Sequence, residues 1–193
     1  MSRNIVAIDP SLTCTGICWG ADAQHWQVQV CKSKPIGTNV GDRIRRYERL
    51  IQQVDAICKA AKPALIFIEG YAYSSNTGGQ MYLGEFGGLL RWHLTEHTSH
   101  VYEVAATTLK KFATGKGNAK KEQVIGHVQK NWNQLFNTSD EADAFVLYQM
   151  ALCAAGRVEP KNQPQREAVQ KVIQQTPMTA SDLRVVCNSK SPY

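Results

Sequence analysis

Two short apolar runs, each ending on a carboxylate, constrain this chain most. Residues 4–9 read NIVAID and residues 64–69 read ALIFIE. The first is rich in β-branched residues and short, as a strand is. The second is apolar up to its final residue, the pattern of a central strand covered on both faces. Between them, PSLTCTG at 10–16 reads as a tight turn, and Ile17–Gly20 and Trp26–Cys31 read as strands of an antiparallel hairpin or meander. A helix is predicted from about Asp42 to Ala61, with Ile44, Tyr47, Leu50, Ile51, Val54, Ile57 and Cys58 on one buried stripe and Pro63 closing it.

The stretch Tyr71–Gly79 is a polar, aromatic, Gly-rich loop. A helix follows over about Gln80–His97, with Met81, Leu83, Phe86, Leu89 and Leu90 as core candidates. Gly84, Gly87 and Gly88 weaken that helix and point to close approach of another backbone or of a DNA strand. Val101–Ala105 is the next strand. Helices over about Thr107–Ala113, Ala119–Trp132 and Ser139–Ala155 complete the pattern, with a GKGN loop at 115–118. Beyond Gly156 the chain turns rich in Gln, Pro and basic residues. The division expected is therefore 1–156 for the folded domain and 157–193 for a basic, partly flexible extension, with a short helix near Arg166–Gln175.

Hydrophobic residues make up 43% of the 193 and charged residues 20%, which suits one globular domain and excludes a disordered or collagen-like chain. No apolar run approaches the roughly 18–20 residues that cross a bilayer. The N-terminus enters IVAID with no basic leader or apolar signal core, so a cytoplasmic protein without a membrane partner is expected. The net charge of +6 suggests a polyanionic partner such as nucleic acid. Six scattered cysteines without a CxxC are read as reduced thiols. His93 and His97 stand at i, i+4, the spacing of zinc-binding pairs, but the HExxH glutamate is missing and no third ligand is obvious, so no zinc site is expected.

The acidic residues carry the chemistry. Asp9 and Glu69 end two strands, where an α/β sheet opens into a ligand crevice. Asp140 and Asp143 lie one turn apart in the last of the predicted domain helices and share a face, whereas Glu141 is rotated about 100° away. Alone, Asp9 reads as a turn residue and Asp140 as a helix cap. Gathered together, such carboxylates raise one another's pKa unless cations share them. A pair of Mg²⁺ or Mn²⁺ ions meets that need, and two such ions about 4 Å apart support in-line phosphoryl displacement.

Four segments then resemble the RuvC-type Holliday-junction resolvases of the ribonuclease-H-like nuclease superfamily: AIDPSLTCTG at 7–16, IFIEGYAYSSNTGGQMYLGEFGGLL at 66–90, VYEVAATTLKKFATGKGNAKKEQV at 101–124 and DEADAFVL at 140–147. The resemblance spans about residues 4–155. It implies an α/β ribonuclease-H-like fold with a mixed five-stranded sheet flanked by helices. It also implies a metal site at Asp9, Glu69, Asp140 and Asp143. The implied enzyme is a homodimeric endonuclease that nicks four-way junctions symmetrically, leaving 5′-phosphate and 3′-hydroxyl ends, in a bacterial cell or phage-infected host. Lys110 and Lys121 fall where the family has DNA-contacting lysines. Where the family tends to place a stacking Phe, this chain has Ala72 between Tyr71 and Tyr73, the candidates for stacking at the junction centre.

Between Glu103 and Glu122 there are five lysines (Lys110, Lys111, Lys116, Lys120 and Lys121) and no acid. They are read as phosphate contacts, which position a duplex without reading its sequence. Lys121 is also the candidate for offsetting charge in the transition state, as a catalytic partner of the four acids. Two other functions fit parts of the sequence: a broader nuclease for flaps, forks and three-way junctions, and an actin-like phosphotransferase suggested by DPSLTCTG. A non-catalytic DNA-binding protein is disfavoured because all four acidic positions are present.

Overall fold

The computed structural model describes residues 4–71 and 77–178. The two apolar runs are strands β1 (Ile5–Asp9) and β4 (Leu65–Glu69), which pair in parallel at the centre of a five-stranded sheet. β2 (Cys14–Gly20) pairs antiparallel with β1, and β3 (Trp26–Lys32) antiparallel with β2. β5 (Val101–Val104) pairs parallel with β4, giving the order β3-β2-β1-β4-β5. The mixed five-stranded sheet expected from the sequence is present. The turn read at 10–16 is shorter, because β2 already begins at Cys14 and takes Gly16 into the ladder opposite Asp9.

Six helices cover the sheet among the described residues: α1 (Val40–Ala61), α2 (Thr77–Leu94), α3 (Ala106–Thr114), α4 (Lys121–Trp132), α5 (Ser139–Ala154) and α6 (Gln163–Ile173). Successive strand residues alternate between two cores. Val6, Ile8, Ile66 and Ile68 pack with Tyr47, Leu50 and Val54 of α1 and Phe86, Leu90 and Leu94 of α2. Ile5, Ala7 and Phe67 pack on the opposite side with α3, α4, α5 and α6. α5 is buried almost all round, from Ala142 to Leu152, because it lies across the central strands beneath its helical neighbours.

Two expected stripes need correction. Ile44 of α1 is 46% exposed, and on α2 Met81 and Leu89 face outward while Phe86, Leu90 and Leu94 are buried. α2 is apolar on more than one face, so periodicity alone offers two stripes and the sheet selects one. Gly87 accommodates the Tyr71 hydroxyl, as close approach requires, whereas Gly84 and Gly88 have open space.

Within the stretch expected as an extension, α6 has an Asn162 cap that accepts from Gln165 N, and Pro164 in its first turn. Its Ala168, Val169 and Val172 are buried in the α3–α5 core. Just after it, Met178 donates from its amide to Val101 O at 2.9 Å. Residues 179–193, including Arg184, Cys187 and Lys190, lie outside the described residues. The packing of α6 predicts that Val172→Ala costs about 1–2 kcal/mol in urea unfolding. It further predicts that ending the chain at residue 156 lowers stability by much more. Unchanged unfolding midpoints would show that α6 does not serve the core.

Candidate active site

Strand register builds the site. Ile8 and Ile68 are the last paired residues of β1 and β4, and one step beyond them stand Asp9 and Glu69. By alternation, Asp9 continues the face of Ile5 and Ala7, and Glu69 that of Phe67, so both carboxylates turn toward α5. Thr138 caps α5 by accepting from Glu141 N at 3.2 Å, and the Glu141 carboxylate turns back to accept from Asn137 N and Thr138 N. Glu141 is thereby held away from the site, as its helical angle predicts. Asp140 and Asp143 face the cleft.

One carboxylate oxygen each of Asp9, Glu69 and Asp143 lies within 4.8 Å of the others. Asp140 is not part of that trio; it lines the same cleft, and its charge adds to the burial that raises the Cys14 thiol pKa. Gly16 makes this convergence possible. A Cβ there would overlap the Asp140 carbonyl, so only glycine opposite Asp9 lets the first turn of α5 come so near the sheet.

Burial first, and then the Glu69 charge, hold the Asp9 carboxyl well above the usual carboxylate range. Burial raises Glu69 too, opposed by a hydrogen bond from Asp9 and by the charges of Lys110 and Lys121. Asp143 is pushed up to about 7 by burial and then by Glu69. Among the described residues no ion pair neutralises the trio. Converging oxygen donors that repel one another are a donor set suited to a hard divalent cation such as Mg²⁺ or Mn²⁺.

The cleft has a volume of about 380 Å³, and its walls include Lys110, Lys121, Ser11, Thr13 and Leu83. The Lys121 ammonium donates to Ser139 Oγ at 3.2 Å, at the start of α5. Lys116 and Lys120 are exposed and outside the cleft lining. Lys111 points to α6, where it pairs with Glu167 at 2.6 Å. Tyr71 lines a small recess beside Asp9 and Glu69; one face of its ring carries the Arg91 guanidinium, 4.2 Å from the centroid. Tyr73 lies outside the described residues.

Arg91 is the site residue that sequence reasoning missed. Only 8% exposed, it donates to the Glu69 carbonyl at 2.8 Å, the Gly87 carbonyl at 3.0 Å and the Glu103 carboxylate at 2.7 Å. It fixes the backbone that carries Glu69. The available signal was an arginine beside Leu90 in an apolar helix, with Glu103 on the strand that follows.

The raised carboxyl groups oppose folding at alkaline pH. The folded Asp143 gives up its proton near 7 and an unfolded one near 4, so the penalty grows as pH rises across that interval. In metal-free protein, Asp143→Asn is therefore expected to raise the thermal midpoint by several degrees at pH 8. The gain should shrink toward pH 4 in a scanning-fluorimetry series.

Known proteins resemble this chain over the residues that build the cleft. The family described as crossover junction endodeoxyribonuclease RuvC matches residues 5–154. The crossover junction endodeoxyribonuclease RuvC of Chlamydia muridarum is 30% identical over 160 residues, covering 80% of this chain and 92% of that protein. The Chlamydia felis relative of the same name is 28% identical, over 80% of this chain and 94% of its own. Among solved structures, Thermus thermophilus RuvC in complex with a Holliday junction substrate has a TM-score of 0.63 at 19% identity, covering 80% of this chain and 96% of that one. Another Thermus thermophilus RuvC structure gives 0.63 at 20% identity, covering 82% and 99%. On the family match and the Chlamydia muridarum relative together, the chain belongs to the RuvC family of crossover junction endodeoxyribonucleases.

Proposed function

We propose that this protein resolves Holliday junctions as a homodimer, nicking two strands of like polarity symmetrically and leaving 5′-phosphate and 3′-hydroxyl ends. The observation that carries the reading is the convergence of Asp9, Glu69 and Asp143 in a cleft whose free cations are Lys110 and Lys121. Asp9, Glu69 and Asp143, with Asp140 beside them, would hold Mg²⁺ or Mn²⁺, two ions on this reading. When bound, such ions activate water as the nucleophile and stabilise charge on both the attacking and the leaving oxygen.

The chain's own residues do the rest. The strand ends and the capped first turn of α5 fix the carboxylates before substrate arrives, so little reorganisation accompanies the reaction. Lys121 stands over the cleft from the start of α4 and offsets charge on the pentacoordinate phosphorus; Lys110 offsets charge beside Glu69. Exposed Lys116 and Lys120 extend the basic surface toward the DNA backbone. Lys111, engaged by Glu167, contributes least. Tyr71, held under Arg91, shapes the recess next to the acids, and Tyr73 is the partner proposed for an unpaired base. Exposed Met81, Leu89 and Trp92 on α2, beside the open positions at Gly84 and Gly88, support pairing of two copies. The cytoplasm of a bacterial or phage-infected cell is the compartment consistent with this substrate.

Asp9→Asn and Glu69→Gln are expected to reduce Mg²⁺-dependent cleavage of a synthetic four-way junction by about 10²-fold or more while junction affinity changes little. Cleavage that persists in both variants would overturn the site. Paired symmetric nicks confined to the four-way substrate are expected; equal cutting of flap and three-way DNAs would instead indicate a broader debranching nuclease. Gly16→Ala is expected to lower the cleavage rate with nearly unchanged DNA affinity, because it moves the α5 acids without touching the lysines. A loss confined to binding would refute that account.

A further inference from the structure

We propose that Asp55, His93 and His97 form a second metal site, selective for a transition-metal ion such as Zn²⁺, which clamps the far end of α2 to α1. The sequence presented the two histidines at i, i+4 without a third ligand; the fold supplies it from α1, 38 residues before His93. His93 Nε2 lies 2.9 Å from Asp55 Oδ1, and His97 Nε2 lies 3.1 Å from the same oxygen. The two rings meet edge to face with centroids 5.4 Å apart. One donor atom from each of the three residues lies within 4.8 Å of the others. The cluster is well removed from the catalytic acids: Gly79 lines the active cleft, and His93 stands 14 residues further along α2, roughly 20 Å at helical rise.

Hydrogen bonding alone does not account for the arrangement. Two imidazole nitrogens aim at one oxygen, and the buried His97 Nε2, 3.1 Å from it, makes no hydrogen bond of good geometry. In a tetrahedral zinc site with bonds of about 2.0–2.1 Å, ligand atoms stand ~3.3 Å apart. The observed 2.9 and 3.1 Å reach that spacing by opening a few tenths of an ångström. The other nitrogen of His93, Nδ1, lies 3.5 Å from the Glu96 carboxylate, the outer partner that fixes a metal-bound imidazole. Two imidazoles and one carboxylate favour Zn²⁺ over Mg²⁺, and a water completes the shell on the exposed side. Lys59 opposes binding through its 2.6 Å contact with Asp55 Oδ2; its side chain is 71% exposed and free to swing into solvent.

The test uses tag-free, full-length protein stripped with chelator and titrated with Zn²⁺ or Co²⁺ in the presence of millimolar Mg²⁺. One equivalent of Zn²⁺ is expected to bind by calorimetry, with a visible Co²⁺ absorption band and a rise in thermal midpoint of about 5 °C or more at saturation. His97→Ala and the milder His93→Gln should abolish all three signals while Mg²⁺-dependent junction cleavage, which reports the fold, persists. Asp9→Asn should keep them, and Lys59→Met should tighten Zn²⁺ binding several-fold. Zn²⁺ binding that survives in both histidine variants, or that Asp9→Asn abolishes, would overturn the proposal, as would the absence of a Zn²⁺ equivalent in the parent protein.

Discussion

The parallel, in-register pairing of β1 with β4 places two carboxylates side by side at the end of the sheet, where α5 brings a third. Mutual repulsion and burial both oppose this, as the raised Asp9, Glu69 and Asp143 carboxyls record. The sheet and two hydrophobic cores hold the arrangement against that cost. A cation is the natural counterpart of such a cluster, and it would turn the opposing interaction into an attractive one.

Positioning depends on residues that do no chemistry. Gly16 is the vacancy into which the first turn of α5 fits, and Glu141 spends its carboxylate on capping that turn. Arg91 binds two carbonyls, one carboxylate and one aromatic face, and so ties α2, β4 and β5 to the same point. Because α2 passes from the acidic cleft to the histidine cluster, restraint at either end bears on one rigid rod.

Much of this was legible in the residues. NIVAID and ALIFIE announce strands by composition and length, each ending on its carboxylate, while the common side of Asp9 and Glu69 comes from the β1–β4 register. The Asp140/Asp143 spacing likewise gives their shared face, and Glu141 its departure from it. What sequence spacing conceals is contact between distant segments. Arg91 reaches Glu69 across 22 positions and Asp55 reaches His93 across 38, distances over which no local periodicity carries information. α6 was hard to read for a different reason: Ala168, Val169 and Val172 make a narrow apolar stripe among glutamines and charges, and burial depends on α3 and α5 being there to receive it.

The return of the chain to Val101 has a further meaning for the sheet edge. β5 is a sheet edge only four residues long, and an uncovered edge offers its amides and carbonyls to any passing strand. The amide of Met178 takes the Val101 carbonyl and closes part of that edge. The segment after α6 therefore covers the first residue of that edge, which a chain ending before Met178 would leave open to another strand.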